Sequence, residues 1–154
     1  MNNRNYELRI SNFGVTILFI SSLFSCSSNS GTADTSSVKF HQYYVRGEVL
    51  YLKHCSNCHQ KNGTGLGQVY PPLNKSDYMD QNLNQVLCLM KYGSDGDLTV
   101  NGKTFVQPMP GVSTLTDLEI AEIATYIYNT WENNRGIVDV TQASSVLSGC
   151  ATSK

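Results

Sequence analysis

The sequence predicts an all-α fold with one short β-hairpin. Three stretches carry this prediction, because apolar residues recur in each at the spacing of one helix face. The stretches cover residues 38–53, 83–92 and 116–131. At 154 residues the chain has the length of a single domain.

The first helix is expected over residues 38–53. Its stripe contains Tyr43, Gly47, Leu50, Tyr51 and His54. A glycine inside a helix costs about 1 kcal/mol relative to alanine. A close crossing with another helix is therefore the best explanation for Gly47.

The second helix is expected over residues 83–92, with Asn82 as its N-cap and Gly93 at its end. A hairpin should follow over residues 98–105. There the pair Asn101-Gly102 lies between short β-forming stretches, and such a pair is typical of a type I′ turn.

The last helix has the clearest start signal. Thr116 and Glu119 have the spacing of a capping box, and Leu115 and Ile120 that of a hydrophobic staple. Its buried stripe is expected to contain Ile120, Ile123, Ala124, Ile127 and Trp131. Residues 136–154 show little periodicity and are expected to form a C-terminal tail.

The N-terminus indicates export. Arg4 and Arg9 precede an apolar run over residues 13–24, which is too short for a membrane span but typical of a signal peptide. The run ends in Leu23-Phe24-Ser25-Cys26, which resembles a bacterial lipobox. We expect residues 1–25 to be removed and Cys26 to be lipidated. An ordinary cleaved signal or an uncleaved anchor are the alternatives.

Residues 26–37 are rich in Ser, Thr and Gly and are expected to form a flexible tether to the domain at residues 38–135. The protein should then face the periplasm on a lipid anchor. Ser27 does not look like an inner-membrane retention signal, which favours the outer membrane.

The most informative motif is Cys55-Ser56-Asn57-Cys58-His59. The pattern C-x-x-C-H is a signature of c-type haem attachment. Cys55 and Cys58 lie three residues apart, so both thiols can bond the vinyl groups of one porphyrin, and His59 can then offer a nitrogen to the iron. A thioredoxin-like pair, a zinc site and a chance occurrence are the alternatives.

A glycine-rich loop follows, and its pair Pro71-Pro72 can offer a carbonyl to the other nitrogen of His59. The acceptor is expected at Pro72 or its neighbour, and an ordinary loop proline pair is the alternative.

A closed haem site also needs a second axial ligand. The candidates are His41, His54, Met79, Met90 and Met109. Met109 is favoured because prolines on both sides fix its backbone. Met90 belongs to a helix stripe, where packing is the default role, and Met79 could pack over the ring.

Two cysteines are left over, Cys88 and Cys150. An even remainder in an oxidising compartment suggests a disulfide between them. The alternative is a buried apolar Cys88 and a separate tail thiol at Cys150.

Taken together, these motifs resemble class I c-type cytochromes over residues 38–135. The resemblance rests on CSNCH, on Pro71-Pro72-Leu73, and on Met109-Pro110-Gly111 ahead of the last helix. It implies a small helical haem-binding fold in which the first and last helices cross near Gly47. It also implies one haem c, thioether-bonded to Cys55 and Cys58, with His59 and Met109 as axial ligands. Cys88, Cys150 and the long tail depart from the family pattern.

The function implied is single-electron transfer between redox partner proteins, without an enzymatic activity of its own. The alternative is a cytochrome c subunit of a larger membrane oxidoreductase or terminal oxidase complex. A haem-based ligand binder or peroxidase is a third reading, although the sequence has one C-x-x-C-H motif where a dihaem peroxidase needs two. The net charge of −1 gives no indication of nucleic-acid binding.

Overall fold

The computed structural model describes residues 35–150, and these form helices joined by loops and two small antiparallel sheets. The predictions for the signal peptide and for lipidation of Cys26 lie outside the described residues. The helices are α1 (Thr35–His54), α2 (Ser56–His59), α3 (Asp77–Gln81), α4 (Leu83–Tyr92), α5 (Asp117–Ile127) and α6 (Val140–Cys150). The all-α prediction is confirmed. None of the helices in this part of the chain is long and apolar enough to span a membrane.

Helices α1 and α5 form the centre of the fold. Gly47 of α1 is buried at their crossing, directly against the backbone of Glu122. The stripe predicted for α1 is buried at Tyr43, Leu50 and Tyr51. The helix begins three residues earlier than expected, so residues 35–37, assigned to the tether, are helical.

The capping box at the start of α5 is present. The hydroxyl of Thr116 accepts from the backbone N–H of Glu119 (3.2 Å), and the carboxylate of Glu119 accepts from the backbone N–H of Thr116 (2.9 Å). The prediction that this helix continues to Trp131 is wrong. It ends at Ile127, whose carbonyl accepts a hydrogen bond from the side chain of Asn133 (2.8 Å) instead of continuing the helix.

Residues expected to form a patternless tail include helix α6. Its buried residues, Ala143, Leu147 and Cys150, have helical spacing and contact α4 and α5. The signal is weak in the sequence because small and hydroxyl residues surround them. The side chain of Asp139 accepts from the backbone N–H of Thr141 (2.9 Å) and pairs with Lys39 of α1. The buried residues of α6 belong to the same hydrophobic core as those of the preceding helices.

Asn82 occupies the predicted N-cap position of α4, but its side chain makes no capping hydrogen bond. Its side chain instead donates to the carbonyl of Tyr78 (2.9 Å), at the end of the preceding helix α3. The predicted hairpin is present: β2 (Leu98–Val100) pairs with β3 (Lys103–Phe105). Both turn residues have positive φ, 51° at Asn101 and 72° at Gly102, as a type I′ turn requires.

A second, unpredicted pairing joins β1 (Gly93–Ser94) to β4 (Met109–Pro110), with Ser94 opposite Met109. It fixes the segment of Met109 to the end of α4.

Candidate functional site

A cavity lies between the C-x-x-C-H segment, α4, the hairpin and α5. It has two adjoining lobes of about 810 Å³ and 550 Å³, both counted together with the space where they open to solvent. Both lobes are lined by Cys55, His59, Pro71, Leu89, Met90, Leu98, Met109 and Ile123. The wall is mostly apolar, and in the described part of the chain neither lobe is lined by Lys, Arg, Asp or Glu.

The two predicted attachment cysteines lie at the cavity wall on the turn from α1 into α2. Cys55 continues α1 through a hydrogen bond from its N–H to the carbonyl of Tyr51 (2.9 Å). Its own carbonyl accepts from the N–H of His59 (3.0 Å), so Cys55 and His59 share one helical turn. Both Cys55 and Cys58 are free thiols, and both line the larger lobe.

The chemistry of these thiols does not suit a thioredoxin-like pair. Burial, reinforced by the nearby Cys58, raises the pKa of Cys55 to about 12. A redox-active cysteine needs a lowered pKa because the thiolate is the nucleophile. Residues 35–150 also contain no group of three or more His, Cys, Asp or Glu side chains that could hold a metal ion, so a zinc site lacks ligands there.

His59 is buried and held in one orientation. Its Nδ1 lies 3.0 Å from the carbonyl oxygen of Pro71, the neighbour of Pro72 allowed for in the sequence prediction. Burial lowers the pKa of His59, and this outweighs the opposite effect of the Pro71 carbonyl, so the ring is neutral near pH 7. With Nδ1–H donating to the carbonyl, Nε2 carries the lone pair that can bind a metal.

Met109 lines both lobes together with His59. Its backbone pairs with Ser94 in the small sheet, and the N–H of Val112 donates to the carbonyl of Met90 (2.9 Å). Gly93 and Gly111 allow this close approach: a Cβ on Gly93 would lie 2.4 Å from the carbonyl oxygen of Met109. The flanking prolines therefore account for only part of the rigidity of this segment, and these two glycines were missed as contributors.

The other candidate ligands are placed as follows. Met90 lies on the buried face of α4 and lines both lobes, whereas Met79 is 2% exposed and lines only the smaller lobe. His54 lines the larger lobe. His41 is exposed on α1 and lines neither lobe.

Cys88 and Cys150 are joined in a disulfide, with their Cα atoms 5.7 Å apart and a sequence separation of 62. It connects α4 to the end of α6. Cys88 directly precedes Leu89 and Met90, both of which line the cavity, so the bond braces that part of the wall.

The cavity fits a haem. Its apolar wall suits a porphyrin, its two thiols can form thioether bonds, and its nitrogen and sulfur donors are those that bind haem iron.

Comparison with known proteins agrees with this geometry. Residues 44–131, more than half of the chain, match the family model of cytochrome c. The chain is 29% identical over 91 residues to cytochrome c-552 of Thermus thermophilus, covering 55% of this chain and 67% of that protein.

Two larger proteins are also similar. One is the alcohol dehydrogenase (quinone) cytochrome c subunit of Gluconobacter oxydans, 28% identical over 90 residues (57% of this chain, 19% of that one). The other is the fructose dehydrogenase cytochrome subunit of Gluconobacter japonicus, 29% identical over 109 residues (67% of this chain, 22% of that one). The chain therefore spans only about a fifth of either subunit.

Proposed function

Since the chain belongs to the cytochrome c family, whose members carry covalently bound haem c and transfer electrons, we propose that it is a monohaem electron carrier, exported and lipid-anchored. One observation carries the proposal: Cys55, His59 and Met109 line both lobes of one apolar cavity, and Cys58 joins them in the larger lobe.

In this proposal Cys55 and Cys58 hold the haem through thioether bonds. The haem supplies reversible one-electron chemistry at its iron. The protein contributes binding, orientation and a wall that excludes water.

The haem iron would be held by His59 through Nε2 and by Met109 through its sulfur. The Pro71 carbonyl fixes the tautomer of His59 and increases its strength as a ligand. A neutral thioether favours ferrous iron and so raises the reduction potential, and two protein ligands leave no open position for a substrate. Such a site transfers electrons and does not bind or activate a small ligand.

Export and anchoring belong to the same proposal. The apolar run at residues 13–24 and the lipobox-like Leu23-Phe24-Ser25-Cys26 support lipidation at Cys26 and a periplasm-facing location, the outer membrane being favoured. Residues 27–34 would then connect the lipid to α1. Fully extended, eight residues reach at most about 29 Å, so the domain would remain close to the membrane surface.

The second candidate function is that of a cytochrome subunit in a larger oxidoreductase. The observation that favours it is the similarity to the two Gluconobacter cytochrome subunits. In both candidates the domain carries electrons and the partner performs the substrate chemistry. Mild solubilisation of membranes followed by affinity purification separates them, because a subunit copurifies stoichiometrically with a dehydrogenase or oxidase and a free carrier does not.

The haem assignment is tested by acid-acetone extraction of the protein made in a host with cytochrome c maturation. We expect the haem to stay on the chain, since thioether bonds are covalent, and the pyridine haemochrome spectrum to show one haem per chain. The double variant Cys55→Ala/Cys58→Ala should lose the haem. Matched alanine substitutions at Cys88 and Cys150 should not. Haem released from the unaltered chain would overturn the proposal.

A further inference from the structure

The turn that follows α5 lies against the loop that provides the carbonyl partner of His59. In this turn Trp131 has φ = 57°, a left-handed conformation that large aromatic residues rarely adopt. Such backbone conformations persist only where the surrounding structure enforces them, and they cluster at functional sites. Here Asn129 stabilises the turn through side-chain hydrogen bonds to backbone groups on both sides of it.

Trp131 holds the first arm of this loop, residues 60–63; the second arm, residues 71–74, contains Pro71. Its indole Nε1 donates to the carbonyl of Lys61 (3.3 Å), and its ring lies across Gly63. A Cβ on Gly63 would fall 2.6 Å from three atoms of that ring, so only glycine fits under it. The carbonyl of Gly63 accepts from the backbone N–H groups of Leu73 (2.8 Å) and Asn74 (2.9 Å). The arm under Trp131 is thereby joined to the arm that contains Pro71.

Two more side chains attach the same loop to the α1–α5 pair. The hydroxyl of Tyr51 donates to the carbonyl of Gln60 (2.6 Å). The side-chain amide of Asn133 donates to the carbonyl of Leu73 (3.4 Å) as well as to that of Ile127. Trp131 and Asn133 hold the two arms from outside the cavity, since neither lines either lobe, whereas Tyr51 lines the smaller lobe.

We infer that Trp131, assisted by Asn133, is a positioning residue for His59: it fixes the loop so that the Pro71 carbonyl stays on Nδ1. This inference rests on the proposed role of His59 as an iron ligand. A hydrogen bond to the second ring nitrogen sets the orientation and basicity of a ligating histidine. The turn after α5 thus positions the proposed iron ligand through the loop, and neither Trp131 nor Asn133 lines the cavity.

The test compares the haem-loaded Trp131→Ala and Trp131→Phe variants with Tyr44→Ala. Tyr44 is also a partly buried aromatic residue that packs on Tyr126 (5.2 Å between ring centroids), but no hydrogen bond or ring contact joins it to the loop. The measurement is NMR-detected hydrogen exchange of the His59 Nδ1–H and the Gly65 N–H in the reduced protein, alongside the melting temperature. Gly65 N–H donates to the carbonyl of His59 (3.0 Å) and so reports on the same loop.

We expect Trp131→Ala to accelerate exchange at both positions by about tenfold or more, because the loop opens locally. Trp131→Phe keeps a smaller aromatic ring but loses the N–H, and its exchange rates should fall between those of wild type and alanine. Tyr44→Ala should lower the melting temperature while changing both rates by less than about twofold, since it leaves the loop intact.

Unchanged exchange in both Trp131 variants, or equal acceleration in Tyr44→Ala, would overturn the inference. If Trp131→Ala does not fold, Trp131→Phe and Asn133→Ala decide the question with the same readout. Failure of the proposed function would be recognised separately, in the unaltered protein. If its spectrum showed no histidine ligand on the iron, the proposed function would be refuted before any variant is made, and the positioning role of Trp131 would be refuted as well.

Discussion

Gly47 of α1 lies directly against the carbonyl of Glu122 in α5. A Cβ at this position would fall 2.0 Å from the Glu122 oxygen and 2.8 Å from the Cβ of Tyr126. Two of the three nearest atoms belong to the backbone of Glu122, which cannot change rotamer as a side chain can. The distance between the two helices is therefore set by the absence of a side chain at one residue. The same pair of helices carries Cys55 at the end of α1 and Ile123 in the cavity wall.

Replacing Gly47 with alanine should separate α1 from α5. In an unobstructed helix this change stabilises by about 1 kcal/mol. Here overpacking should reverse the sign and lower the free energy of unfolding by about 2 kcal/mol or more. Denaturant unfolding of the haem-loaded protein measures it. The control is Gly149→Ala in α6, where a Cβ would meet no atom of the described residues 35–150 within 4 Å and a small stabilisation is expected. Equal effects of the two changes would contradict the crossing argument.

The proposed sulfur ligand is tested by conservative replacement. Met109→Leu keeps the volume but removes the sulfur, so the iron should become high-spin or solvent-ligated and its reduction potential should fall. The controls are Met90→Leu and Met79→Leu, two methionines that also line the cavity. Both should keep the low-spin spectrum and cost less than about 1.5 kcal/mol of stability, as Met-to-Leu exchanges usually do. If Met109→Leu kept the low-spin spectrum, the sulfur ligand would instead be the methionine whose replacement removes that spectrum.

Local signals with strict geometry could be read from the sequence. The capping box at Thr116, the turn at Asn101-Gly102 and the crossing at Gly47 each require particular residues, and the structure confirms all three. The C-x-x-C-H motif likewise predicted which residues would face one cavity.

Other features that depend on contacts distant in sequence could not be read in this way, although the Gly47 crossing and the pairing of Cys88 with Cys150 were predicted. Helix α6 has few strongly apolar residues and is stabilised by packing on α4 and α5 and by the bond to Cys88. The pairing of Ser94 with Met109 involves two-residue strands, too short to give a pattern. The contact of Trp131 with Gly63 depends on a turn that breaks the predicted helix, and apolar periodicity gives no sign of it.

Helix α6 should contribute a pH-dependent part of the stability through Asp139. Hydrogen bonds from Lys39 and from Thr141 lower the pKa of Asp139 from 3.8 to about 2. A carboxylate with a lowered pKa in the folded state stabilises above its unfolded pKa, and this stabilisation is lost as the pH falls from about 4 through about 2. Asp139→Ala should therefore cost about 1 kcal/mol at pH 7, in the range of other substitutions at helix starts.

The difference between wild type and Asp139→Ala should shrink towards zero near pH 2, as followed by denaturant unfolding at both pH values. Lys39→Ala serves as the control that removes the ion pair and keeps the bonds to Thr141. Lys39→Ala should therefore lower the free energy of unfolding by less than Asp139→Ala does. A penalty for Asp139→Ala that stays constant down to pH 2 would contradict the assignment.

The last prediction concerns docking at the mouth of the cavity. The resemblance to class I c-type cytochromes implies a rim around the mouth at residues 56–57, 60–64 and 106–112, where Lys61 is the one formal charge. The structure places exposed apolar side chains beside cavity-lining residues: Val106 is 68% exposed, next to Phe105 and Gln107, and Val69 is 46% exposed, next to Tyr70. Two exposed carboxylates, Asp95 and Asp97, also lie beside lining residues of the larger lobe.

Four other lysines could have formed a basic ring around the mouth, but two have partners and two do not line the cavity. Lys75 pairs with Glu132 (2.8 Å), and Lys91 donates to the carbonyl of Leu115. Lys53 and Lys103 are exposed and line neither lobe. Docking should therefore depend on apolar contact, with the proposed lipid anchor supplying encounter frequency by keeping the domain near membrane-bound partners. Charge steering should contribute little.

We expect the stopped-flow rate of electron transfer to the natural partner to change by less than about threefold between about 0.01 and 1 M salt, where the Debye length falls from about 30 Å to about 3 Å. Val106→Asn should slow transfer at every salt concentration, because it removes apolar contact at the mouth. Val49→Asn on α1, where the side chain is 51% exposed away from the cavity, should leave the rate unchanged. A fall of about tenfold or more with salt would instead indicate a charged docking face. Asp95→Asn and Asp97→Asn would then locate it, since these are the carboxylates that adjoin the mouth.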